Sequence, residues 1–136
     1  MFKILVEKGL INSVVEGIEY QKVCFLRNKE KVFFDIILHL SLTLDGVKLP
    51  LDIPLFIEVK NYGIKPSVIW RHHFCTKEVN PNGIPIVIGD FGVQSAFNTV
   101  SKTKCFLVTK RELKKLIEKH IEDERSKCNK NKYIGR

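Results

Sequence analysis

The spacing of hydrophobic positions changes several times along the chain, and each change marks an element. Phe2, Leu5, Val6 and Leu10 recur at helical spacing, which predicts a short N-terminal helix within Phe2–Val15. Gly17–Leu26, with Tyr20, Val23 and Phe25, and the run that opens at Val32 are extended apolar stretches. The charged break Arg27-Asn28-Lys29-Glu30-Lys31 separates them, so strand, turn and strand are expected. The second strand continues to about Leu44 and meets Asp45-Gly46, a pair that tolerates positive φ and closes two-residue hairpins. The return strand is interrupted near Pro50 and Pro54, residues that suit an edge or a bulge. It recovers as Leu55-Phe56-Ile57-Glu58-Val59-Lys60-Asn61-Tyr62.

Residues Ile64–Gly83, with Pro66, Asn80 and Pro81, hold no clear period and read as an irregular insertion. Ile84–Ile88 is a β-branched run suited to a buried strand. Val93, Ala96, Phe97 and Val100 return to helical spacing, and Lys104–Thr109 reads as a further strand. Leu113, Leu116, Ile117 and Ile121 then stripe one face of an amphipathic helix opening near Thr109. From Ser126 the chain turns polar and basic. The expected organisation is one domain over residues 1–125 and a loose tail over 126–136. Its class is α/β: a mixed central sheet with a β-meander, flanked by helices.

Composition narrows the classes of function. With 136 residues, 44% of them hydrophobic and 28% charged, the chain has the make-up of a globular domain with a real core. The longest apolar run, Val32–Leu44, is broken by Asp35, His39, Ser41 and Thr43, so no membrane span is expected. The opening Met-Phe-Lys-Ile-Leu-Val-Glu is too short and too soon acidic for a signal peptide, and a cytoplasmic address is the expectation. Cys24, Cys75, Cys105 and Cys128 form no CxxC pair. The first three lie in apolar segments and read as buried, reduced thiols, with two disulfides as the alternative. The net charge of +8 is concentrated late: Lys102–Arg136 carries twelve Lys/Arg against five Asp/Glu. Lys102, Lys104, Lys110 and Arg111 are the candidate nucleic-acid contacts, although a solvated helix with a basic tail has the same composition.

The chemistry-bearing feature is Glu58-Val59-Lys60 at the end of an apolar strand. Alternate strand residues share a face, so Glu58 and Lys60 point the same way. Asp35, between Val32-Phe33-Phe34 and Ile36-Ile37-Leu38, is a second charge embedded in an apolar strand. If Asp45-Gly46 is a two-residue turn, Leu44 faces Val47. Counting back along both strands then sets Asp35 opposite Phe56, with Glu58 as its diagonal neighbour about 7–8 Å away. A one-residue bulge near Pro50 or Pro54 would reverse that parity.

Two carboxylates at this separation offer hard oxygen ligands for Mg²⁺ or Mn²⁺, with the Val59 carbonyl as a further donor. Such an ion polarises a phosphoryl oxygen and acidifies a bound water, while Lys60 can orient or deprotonate that water and offset developing charge. The other reading is a cross-strand salt bridge at a sheet end. His72, His73 and Cys75 lack a second ligand pair at zinc spacing. Trp70-Arg71-His72-His73 reads instead as a DNA-contacting loop or a packed aromatic with polar neighbours.

The stretch Phe33-Phe34-Asp35-Ile36-Ile37, followed by Phe56-Ile57-Glu58-Val59-Lys60-Asn61-Tyr62, resembles the core of the PD-(D/E)xK, or restriction-endonuclease-like, nucleases. The phrase IEVKNY is similar to Mrr-type restriction enzymes and archaeal Holliday-junction resolvases, and the resemblance spans about Val32–Ile121. It implies a divalent-metal-dependent endodeoxyribonuclease that acts on DNA, with Asp35 and Glu58 as metal ligands and Lys60 as the catalytic lysine. It further implies a site role for Gln94 and an acidic residue on the first helix, for which Glu7 is the candidate, with Glu16 and Glu19 behind it. Phe34 stands where many members have proline. Nucleases of this kind often work as homodimers. The alternative is a catalytically inactive nucleic-acid-binding or complex-forming subunit with the same fold.

Overall fold

Three long strands form an antiparallel meander and two short ones extend it in parallel. These are β1 (Ile11–Phe25), β2 (Lys31–Leu44), β3 (Val47–Val59), β4 (Ile84–Gly89) and β5 (Phe106–Thr109), in the spatial order β1-β2-β3-β4-β5. Helix α1 (Pro66–Val79) connects β3 to β4, α2 (Gln94–Lys102) connects β4 to β5, and α3 (Lys110–Ile134) follows β5. The protein is α/β, a mixed five-stranded sheet with flanking helices. The computed structural model describes the backbone of residues 11–134 and the side chains of residues 12–126. Among the described residues no helix is long and apolar enough to cross a membrane.

Asp45 and Gly46 close the β2–β3 hairpin with φ of 49° and 81°, the doubly left-handed turn whose twist matches the flanking strands. Leu44 pairs with Val47 as the turn requires. Between Thr43–Lys48 and Ser41–Asp52 three residues of β3 stand against one of β2, a shift of two positions. Pro50 lies inside that irregularity. Pro54 is tolerated because β4 begins only at Leu55–Ile84, so β3 has β2 alone as a neighbour there.

Two clusters form the core. Leu26, Val32, Phe34, Ile37, Phe56 and Cys75 join the meander to α1, with the Phe34 and Phe56 rings edge to face at 4.8 Å. Ile64, Ile69, Val87, Ala96 and Cys105 join β4 to α1 and α2. The cysteines Cys24, Cys75 and Cys105 are all unpaired thiols, the last two buried and Cys24 half-buried.

Three expectations are corrected. Ile11–Val15 belongs to β1 and is not helical: its β-branched residues pair along β2 as far as Ile11–Leu44. Residues 2–10 of the expected helix lie outside the described residues. The supposed irregular insertion contains α1, opened by Pro66 at its first turn, where a missing N–H costs nothing. Its inward stripe is Ile69, His72, Cys75 and Thr76, so polar and small side chains conceal the helical period. The helix from Thr109 runs on to Ile134, past the point where a loose tail is expected. Thr109 caps it by accepting from the Glu112 N–H at 3.2 Å.

Candidate active site

Asp35 sits where the β2–β3 ladder stops. The last pairing is Ile36–Ile57, and one further step sets Asp35 opposite Glu58. The two-residue shift at Leu49–Leu51 therefore preserves the parity of the pairing and changes the partner of Asp35 from the expected Phe56 to Glu58. A one-residue bulge would have turned the side chain to the other face.

The carboxylate itself ends the ladder. Asp35 Oδ2 accepts from the Val59 N–H at 2.7 Å, taking a donor that a continued strand pair would use. Phe34 and Ile37 both enter the same core cluster, although strict alternation would put them on opposite faces. The alternation therefore breaks between them, at Asp35–Ile36. Across from the break, Gln21 stands between the Tyr20–Ile36 and Lys22–Phe34 pairs with φ of 48°. A non-glycine residue in the left-handed region costs on the order of 1 kcal/mol. Local strain thus accompanies the one embedded carboxylate of β2, as it often does at functional sites.

Glu58 and Lys60 share a face at the end of β3, as alternation predicts, and form an ion pair at 3.1 Å. Burial pushes the Glu58 carboxyl up from its ordinary value, and the nearby charge of Asp35 adds to that, against the hydrogen bond and charge of Lys60. Burial pulls the Lys60 ammonium down, but its hydrogen bond to Glu58 and the charges of Glu58, Tyr62 and Asp35 prevail and hold it above its ordinary value. The two shifts agree on one picture. Lys60 stays charged, and burial with the charge of Asp35 disfavours the charged form of Glu58 more than Lys60 favours it.

Neighbouring loops fix this strand end. The Lys60 N–H donates to the Ile88 carbonyl at 2.8 Å, the Asp90 N–H to Tyr62 at 3.2 Å and the Ile64 N–H to Phe91 at 2.7 Å. A Cβ on Gly89 would collide with Ile64, so glycine is what lets these two loops close together. Lys110 adds a clasp: its ammonium meets Asn61 Oδ1 at 2.6 Å and Asp90 Oδ1 at 2.9 Å.

Glu58 and Lys60 open into a cleft of about 450 Å³ between β2, β3 and α1, with Lys31, Phe33, Tyr62, Arg71 and His72 among its walls. His72 is buried and bonded through Nε2 to the Phe56 carbonyl at 2.8 Å. Burial lowers its pKa, outweighing the bond to Phe56 and the pull of Asp35, so the ring is neutral and serves as the donor. Its sequence neighbour His73 stands edge to face with Trp70. Arg71 and His72, expected in a DNA-contacting loop or a packed aromatic segment, lie instead on helix α1 and line the cleft.

Asp35 is not itself among the cleft's walls, and the remaining candidates lie apart from it as well. Gln94 is exposed at the first position of α2 and is not among the cleft's walls. Glu16 and Glu19 are on strand β1, not on a helix. Glu16 accepts from Ser41 and pairs with Lys48, while Glu19 pairs with His39 and Lys22. Glu7 lies outside the described residues. Lys102, Lys104 and Arg111 are exposed away from the cleft walls, and Lys110 is committed to its clasp.

The donor set suits a hard cation that keeps most of its water. Asp35 leaves Oδ1 unused by its bond to Val59, and Glu58 is a half-buried carboxylate whose charged form a cation would favour. It does not suit a closed protein cage, because among the described residues no group of three or more His, Cys, Asp or Glu side chains gathers to hold a metal. No family description, curated protein or solved structure matches the chain.

Proposed function

We propose that the protein is a divalent-metal-dependent endodeoxyribonuclease of the PD-(D/E)xK kind, with Asp35, Glu58 and Lys60 as its site. The observation that carries this is the position of Asp35 one step past the last β2–β3 pair, opposite Glu58 and near enough for its charge to raise the Glu58 carboxyl, with Lys60 at 3.1 Å from Glu58. Further support comes from the helix that opens at Gln94, the strand Phe106–Thr109 and the helix after it, an order similar to that family's, although the helix Pro66–Val79 has no clear counterpart there.

In this reading Asp35 and Glu58 hold Mg²⁺ or Mn²⁺, and the Val59 carbonyl is a candidate third donor. The ion, when bound, supplies Lewis acidity and a water acidified toward neutrality. Lys60, kept charged, orients the attacking water and offsets the charge that grows on the phosphoryl oxygens. His72 positions: its bond to the Phe56 carbonyl braces β3 two residues before Glu58.

The test incubates plasmid, single-stranded, flap and four-way-junction DNA with Mg²⁺ or Mn²⁺. Wild type should cut at least one of these, and Lys60→Ala should cut slower by roughly 10²–10³-fold, the scale of losing one charge-stabilising donor. No cutting by wild type, or equal cutting by Lys60→Ala and Asp35→Ala, would sink the proposal. A binding subunit without catalysis is the second reading, favoured by the absence of a three-ligand group among the described residues. Tight, strongly salt-dependent DNA binding without cutting would select it.

A further inference from the structure

The mouth of the cleft has an unusual make-up. Phe33 and Tyr62 line it with rings 61% and 51% exposed, large apolar surfaces left in water beside a pocket. Each ring has a lysine against it: Lys31 Nζ lies 5.4 Å from the Phe33 centroid and Lys60 Nζ 6.0 Å from that of Tyr62. Arg71 adds a third cation, held at 3.1 Å by Glu30 outside the cleft walls. Against these stands Glu58, the only acidic residue of the cleft wall among the described residues.

Aromatic faces alternating with cations match a strand whose bases and phosphates alternate in the same way. The pairing of ring and cation also discriminates between strand forms. A base inside a duplex is stacked on both sides and offers its face to no protein ring, whereas an unpaired base offers it fully. The volume of about 450 Å³ falls in the range of pockets that enclose one small-molecule-sized group, too small for a double helix to enter.

We infer that the cleft seats an unpaired nucleotide, its base stacked on Phe33 or Tyr62 and its phosphates met by Lys31 and Arg71, so that the protein engages single-stranded DNA in preference to duplex. The inference deepens the nuclease proposal and rests on it for placing the strand to be cut beside Asp35, Glu58 and Lys60. A flap, an overhang or the unpaired centre of a branched molecule would each present such a strand.

Binding is read by fluorescence anisotropy with the full chain, in EDTA and at fixed low salt, so that no cutting intervenes. The probes are a short oligodeoxythymidylate and a blunt duplex of equal length. Wild type should bind the single strand more tightly. Phe33→Ala and Tyr62→Ala should each weaken single-strand binding by roughly 5- to 100-fold, the scale of one lost base stack, and leave duplex binding unchanged. Phe33→Trp should restore it. Equal affinity for the two probes would overturn the inference, as would aromatic variants that weaken both probes alike or neither. Thermal melts of each variant verify folding, which exposed rings should not disturb. The cutting assay with Mg²⁺ separates the two claims. Single-strand preference without cutting defeats the nuclease and leaves the stacking surface, whereas cutting without that preference does the reverse.

Discussion

Glu58→Gln offers a thermodynamic test of the site that needs no substrate. The amide keeps the size of the side chain and removes its charge. Without a divalent ion, the loss is the Glu58–Lys60 pair, whose side chains remain 17% and 30% exposed and whose worth is on the order of 1 kcal/mol. The gain is relief from burying a charge beside Asp35, which opposes that loss. The two should nearly cancel. For 136 residues, 1 kcal/mol shifts Tm by about 3–4 °C, so the metal-free variant should melt within a few degrees of wild type. With Mn²⁺ at a hundred times its Kd, binding to the folded state stabilises wild type by about 2.7 kcal/mol, or roughly 9 °C. Glu58→Gln should lose most of that increment at the same Mn²⁺ concentration. Differential scanning fluorimetry with and without Mn²⁺ reads all four melting points. A wild-type Tm that Mn²⁺ does not move, or an equal increment in Glu58→Gln, would refute the reasoning.

Phe34→Ala removes a ring that is 1% exposed and packed edge to face on Phe56, and should cost about 3–5 kcal/mol in urea unfolding; a loss below about 1 kcal/mol would contradict the packing described. His72 predicts a pH dependence, because its folded pKa lies below the ordinary 6.5. The unfolded chain takes up the proton more readily, so the contribution is present above pH 6.5 and lost as pH falls through the lower folded value. His72→Gln should flatten that acid limb in chemical unfolding followed by circular dichroism, and an unchanged slope would count against a neutral, buried ring.

Much of this arrangement is legible in the sequence because hairpins carry their own arithmetic. Asp45-Gly46 specifies the turn, the turn specifies Leu44–Val47, and counting along both strands from there brings Asp35 and Glu58 to the same end of the hairpin. The direct partner of Asp35 is not legible, since Pro50 signals a bulge but nothing in Leu49-Pro50-Leu51 says that two extra residues, and not one, enter β3. Nor is the break in alternation at Asp35, which depends on Phe34 and Ile37 both finding space in one core. Helix α1 escapes for a different reason. Its inward positions include His72 and Thr76, which no hydrophobic pattern counts, and its N-cap Lys65 makes no side-chain capping bond. The amphipathic stripe of α3 is read correctly as helical, yet Leu116, Ile117 and Ile121 stay exposed. Periodicity reports a face and does not report what covers it.

The most direct test of the site is a crystal of the protein grown with Mn²⁺ and measured for anomalous scattering at the manganese edge. An ion bound between Asp35 and Glu58, with oxygens of both carboxylates within about 2.5 Å, is the predicted result. Manganese bound elsewhere, with Glu58 still paired to Lys60 and Asp35 still held by Val59 alone, would contradict it.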